Sequence, residues 1–76
     1  MKELEFTIYT ADGETELLND WSIDEAYKVA TAYEDETGDA PVIEVMVYHD
    51  CYPYGNEEWT LSDLIDEYET VQALRG

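Results

Sequence analysis

Basic residues are nearly missing: three Lys and Arg stand against 20 Asp and Glu, for a formal net charge of −17 at pH 7. Three cations cannot build a phosphate-contacting face, and an anionic nucleic acid or membrane surface would repel the chain. Cysteine is used once, at Cys51, so an intramolecular disulfide is excluded and a reducing, cytoplasmic setting is expected. No apolar run is long enough to span a bilayer, and the N-terminus lacks the basic-then-apolar pattern of a secretory leader, so none is expected. With four glycines, none of them in a phosphate-cradling cluster, there is no nucleotide loop either.

Metal and catalytic residue types are equally thin. His49-Asp50-Cys51 brings three such types together, but neighbours on an extended chain point to opposite sides and no second spaced Cys or His follows. A Cys51–His49 nucleophile would also need a third, orienting group, which the sequence does not offer. The acidic run Glu34-Asp35-Glu36-Thr37-Gly38-Asp39 lacks the alternate-residue acids, central glycine and terminal glutamate of a calcium loop. The expectation is no enzyme, no metal and no cofactor.

What the chain does have is apolar content of 45 %, with seven Tyr and two Trp, enough for one core in one domain spanning residues 1–76. Leu4, Phe6 and Ile8 alternate with Glu5, Thr7 and Tyr9, as on a strand with one buried face. Asp12-Gly13 then predicts a type I′ hairpin into an irregular edge strand over about residues 14–19. Ser22 with Glu25 forms a capping box, Trp21 is placed to staple it, and Ile23, Ala26, Tyr27, Ala30 and Tyr33 keep helical spacing up to a stop at Gly38. A strand over about 42–49 places Ile43, Val45 and Val47 on one side and Glu44, Met46 and Tyr48 on the other. Residues 50–58 have loop composition, with Pro53, Gly55 and Asn56. A final helix, capped by Thr60 with Asp63 or by Ser62, carries an apolar stripe of Leu61, Leu64, Ile65, Tyr68, Val71 and Leu74. The expected fold is α+β, ordered ββαβα, with two helices on one face of a sheet containing antiparallel strands.

The charge sets the functional question. B-DNA carries about one charge per 1.7 Å of axis, so 17 charges correspond to roughly 29 Å of duplex, close to the roughly 29 Å diameter of a globule of this length. Spread evenly over the roughly 4,800 Å² expected of such a chain, however, the charge is thinner than on a DNA cylinder by a factor of about 2.5. Imitation of DNA therefore requires clustering, whereas a merely soluble acidic surface does not. Glu34, Asp35 and Glu36 occupy the negative end of a helix, where cations are favoured, and such a choice points away from folding as the reason for the acids. Tyr52, Tyr54 and Trp59, bordered by Asp50, Glu57 and Glu58, have the composition of an interface anchor in a charged rim, or of a cap on the open end of a small core.

The segment Val47-Tyr48-His49-Asp50-Cys51-Tyr52-Pro53-Tyr54, then Trp59-Thr60-Leu61-Ser62-Asp63-Leu64 and Tyr68-Glu69, resembles a stretch of the ArdA-type antirestriction proteins. There a strand passes through a His-Asp-Tyr-type loop into a helix with a Ser-containing cap. The chain is also similar, in charge and size, to the small acidic inhibitors that phages direct against restriction or CRISPR nucleases. The resemblance implies an acidic DNA mimic that occupies the nucleic-acid channel of a defence enzyme. On this reading the partner is a basic protein surface, met by Glu34, Asp35, Glu36, Asp50, Tyr52, Tyr54, Glu57, Glu58, Trp59, Asp63, Asp66, Glu67 and Glu69. The alternative is an interaction module that engages its partner through the sheet face or the 50–58 segment, with the acids serving solubility.

Overall fold

The alternating first segment forms strand β1 (Lys2–Tyr9), and β2 (Glu16–Asp20) returns antiparallel beside it. The computed structural model describes residues 2–75, and the remaining elements are α1 (Ile23–Thr37), β3 (Val42–His49), β4 (Tyr52–Trp59) and α2 (Leu61–Arg75). The class is α+β, but the order is ββαββα, one strand more than the sequence pattern predicts. All strand pairs are antiparallel, in the order β2-β1-β3-β4.

In the β1–β3 register Leu4 faces Val47, Phe6 faces Val45 and Ile8 faces Ile43, so the alternating apolar sets of both strands fall on one side. Both helices cover that side. Ile23, Ala26 and Ala30 of α1 and Leu61 and Leu64 of α2 join Phe6, Ile8, Ile43 and Val45 in one buried cluster. The helices run antiparallel: Asp24 at the start of α1 meets Arg75 at the end of α2, and Tyr27 stacks on Tyr68 with ring centroids 3.8 Å apart. Leu74, expected on the apolar stripe of α2, is 82 % exposed because it stands four residues after Thr70 and seven after Glu67, on the solvent side of the helix.

The additional strand lies where turn composition predicts a loop. The turn itself is Asp50-Cys51, with φ of +51° and +73°, between His49 and its partner Tyr52. Two central residues with positive φ and a two-residue connection are what a type I′ hairpin requires, although neither residue is glycine. Pro53 is tolerated because β4 is an edge strand and the register shifts beside it: Val47 faces Gly55 while Tyr48 faces Pro53, which leaves Tyr54 as the extra residue of a bulge.

The turn expected at Asp12-Gly13 is of a different kind. Gly13 donates its N–H to the Thr10 carbonyl and has φ of +75°, and among the described residues of this loop it alone has positive φ, which excludes type I′. The Asp12 carboxylate accepts from the Thr10 hydroxyl and the Glu14 N–H, and the loop is tied to α1 by the Ala11 N–H, which donates to the Tyr33 hydroxyl at 2.9 Å.

Candidate acidic interface

Two short-range devices aim α2. The Thr60 hydroxyl accepts the Asp63 N–H at 3.1 Å, and the Asp63 carboxylate accepts the Thr60 N–H at 3.0 Å, a reciprocal capping box that decides for Thr60 over Ser62. Just before it, the Trp59 ring meets Phe6 edge-on, centroids 5.9 Å apart, and its indole N–H donates to Glu57 Oε1 at 3.0 Å. Strand and helix are thus fixed to each other at the point where β4 turns into α2.

Beyond that junction Asp63, Asp66, Glu67 and Thr70 recur at helical spacing, opposite the stripe that buries Leu61 and Leu64. Together with Glu57 and Trp59 of β4 they line a groove of about 550 Å³ that Glu58 borders from the strand, its own side chain being on the open face with Glu44, and no lysine or arginine among the described residues lines it. Glu58 lies directly opposite Glu44 of β3, a like-charge pair across the strands that opposes pairing. Five of the expected partner-binding residues, Glu57, Trp59, Asp63, Asp66 and Glu67, therefore line one groove, with Glu58 at its border facing the other side of the sheet.

The others lie elsewhere. Glu69, six positions after Asp63, is rotated about 120° around the helix axis from it. Glu34 and Asp35 line a second groove, on the other flank of α2, with Asp24, Tyr27, Lys28 and Tyr68, and Lys28 offsets part of the charge there. Glu36 is exposed in the same last turn of α1, whose end is closed by Gly38 with φ of +78° and its N–H on the Glu34 carbonyl. Asp50, Tyr52 and Tyr54 belong to the hairpin tip. Because β4 is extended, Tyr52 and Trp59 stand about 23 Å apart along the strand, so the three aromatics do not form a single anchor. Tyr52 and Tyr54 are 76 % and 77 % exposed, which also rules out a cap on the core, and Tyr54 packs against His49, centroids 4.7 Å apart.

The sheet's other side carries features that the sequence pattern did not single out. Trp21 does not staple α1: the Ser22 hydroxyl accepts the Glu25 N–H, but the Ser22 N–H donates to Asp20 Oδ1, and Trp21 is 51 % exposed. Its ring instead lies on Tyr48, centroids 5.1 Å apart and 46° inclined. The signal was parity: Asn19 faces Thr7 and Asp20 faces Phe6, so the next residue continues the alternation onto the open face. The Tyr48 hydroxyl donates to Glu5 Oε1 at 3.3 Å. Desolvation, then the Glu5 carboxylate, raises the Tyr48 pKa above its ordinary value, and desolvation followed by Glu44 and Glu16 does the same to Tyr9. The Asp12 carboxyl is held below its ordinary value, first by the Thr10 hydroxyl and then by the Glu14 N–H.

With an accessible surface of 5002 Å² the chain has one net charge per about 290 Å², and acids occur on both faces of the sheet. The β4–α2 groove is a local concentration above that average. No helix among the described residues is long and apolar enough to cross a membrane, and no three of their His, Cys, Asp and Glu side chains converge as metal ligands would. Comparison with protein-family models, with curated proteins and with solved structures finds no match to the chain.

Proposed function

We propose that this protein is an inhibitor that occupies the basic nucleic-acid channel of a host defence nuclease, of restriction or CRISPR type, in place of DNA, and catalyses nothing. The observation that carries the reading is the row of Asp63, Asp66 and Glu67 on α2 with Glu57 of β4 beside it, along one groove that no lysine or arginine among the described residues lines. Three of these acids, Asp63, Asp66 and Glu67, fall within about 6 Å of helix axis, and B-DNA places three charges on about 5 Å of its own. Along its axis this face therefore carries charge at about the spacing of duplex. Cytoplasmic location belongs to the same reading, because the target works on DNA there.

The carboxylates supply steering and salt sensitivity more than affinity, so desolvated contact area must come from elsewhere. The exposed tyrosines beside the β3–β4 turn, Tyr52 and Tyr54, suit that part. The test is displacement: a purified restriction or CRISPR nuclease loaded with a fluorescent cognate duplex is titrated with the protein. Release of the duplex, with mutually exclusive binding, is expected; a ternary complex of nuclease, duplex and protein would contradict the proposal.

A further inference from the structure

We propose that the open face of the sheet holds a second binding site, for an arginine side chain of a protein partner, built from Trp21, Tyr48 and Glu5. The argument does not depend on the β4–α2 groove. Trp21 is half exposed and lies outside the buried core cluster, and its ring is held in place against Tyr48. Glu5, on the strand between them, fixes the Tyr48 hydroxyl with one carboxylate oxygen. Glu3 stands directly opposite Tyr48 in the β1–β3 register and is exposed on the same side. A flat aromatic face bordered by carboxylates is complementary to a guanidinium, which stacks on indole and donates in its own plane to carboxylate oxygens.

Charge selects among occupants. A nucleic-acid base would also stack on Trp21, but its phosphates would meet a chain of net charge −17. A second copy of the chain would carry the same −17 and could offer only Arg75, which is bound to Asp24 at 2.8 Å. The occupant is therefore an arginine on a basic protein.

Blocked tri-arginine and tri-lysine peptides of equal charge test this, with the indole N–H resonances of Trp21 and Trp59 as separate readouts. Tri-arginine is expected to move the Trp21 signal saturably, with a midpoint roughly two- to fivefold below that of tri-lysine, whereas the Trp59 signal, beside the acidic groove, should respond to both peptides alike. Trp21→Leu should bring the two affinities together. Glu5→Gln, which preserves shape and carries the test alone if Trp21→Leu alters the fold, should weaken tri-arginine by a similar factor. Equal binding of both peptides to the wild type, an arginine preference that survives both substitutions, or a Trp21 signal that does not move would each overturn the site.

Discussion

At the scale of single residues, Thr60 and Asp63 show how much a local device decides. Their reciprocal hydrogen bonds start α2 and thereby turn Asp66 and Glu67 toward β4. Thr60→Ala should cost about 1 kcal/mol of unfolding free energy, and Ser62→Ala only a few tenths, because the cap is already made. Urea midpoints of the two variants check this; equal losses would place the cap at Ser62. The tyrosines of the open face set a pH dependence. Folded-state pKa values of Tyr9 and Tyr48 lie above the unfolded value of 10.0, so their contribution is fully present below pH 10.0 and is lost as pH rises through the folded-state values. Replacing the neighbouring carboxylates by Glu5→Gln and Glu44→Gln should make the fall in melting temperature above pH 10.0 shallower, leaving the part owed to desolvation; an unchanged slope would contradict the pairing. Reading this level from sequence succeeded in part where the partner is three residues away: the Ser22 hydroxyl accepts the Glu25 N–H as expected, but the other half of that capping box goes to Asp20. It failed for Trp21, whose partner Tyr48 is distant in sequence and is brought near only by the sheet.

At the scale of elements, the strands whose side chains alternate and the helices with apolar stripes were legible in the sequence. Phe6, Ile8, Ile43, Val45 and Val47 fall inward as their spacing demands, and α1 starts after Ser22 and ends at Gly38. Strand β4 was not legible. Pro53, Gly55 and Asn56 favour a turn locally, and only pairing with β3, a tertiary contact, holds them extended. The real turn hides in Asp50-Cys51 because cysteine rarely adopts positive φ. That strain is testable: Cys51→Gly should raise stability by about 0.5–1 kcal/mol, the left-handed penalty relieved less the added freedom of glycine in the unfolded chain, and a loss in the denaturation midpoint would contradict the turn. The same hairpin holds the opposed Glu44 and Glu58. Glu58→Lys should raise the unfolding free energy by about 0.5 kcal/mol through a favourable cross-strand pair, and a denaturation midpoint that does not rise would contradict the register.

For the whole molecule, the arrangement of charge is what bears on function. Composition alone shows that evenly spread acids are too sparse to resemble DNA, and the fold answers with a local concentration where β4 and α2 meet. The helical part of that cluster, Asp63, Asp66 and Glu67, was visible in the spacing; Glu57 was expected in the same set, but the strand that sets it beside α2 and turns Glu58 to the other face was not legible. Glu34, Asp35 and Glu69 lie off this surface, so the anionic face is narrower than the full set of exposed acids. The most direct test of the account is the affinity for a DNA-free target nuclease between about 50 and 200 mM salt, measured for the wild type and for the double charge reversal Asp66→Lys, Glu67→Lys. Phosphate imitation predicts a steep fall in wild-type affinity with salt and a large loss together with a shallower slope in the variant. Affinity that ignores salt and survives the reversal would contradict it.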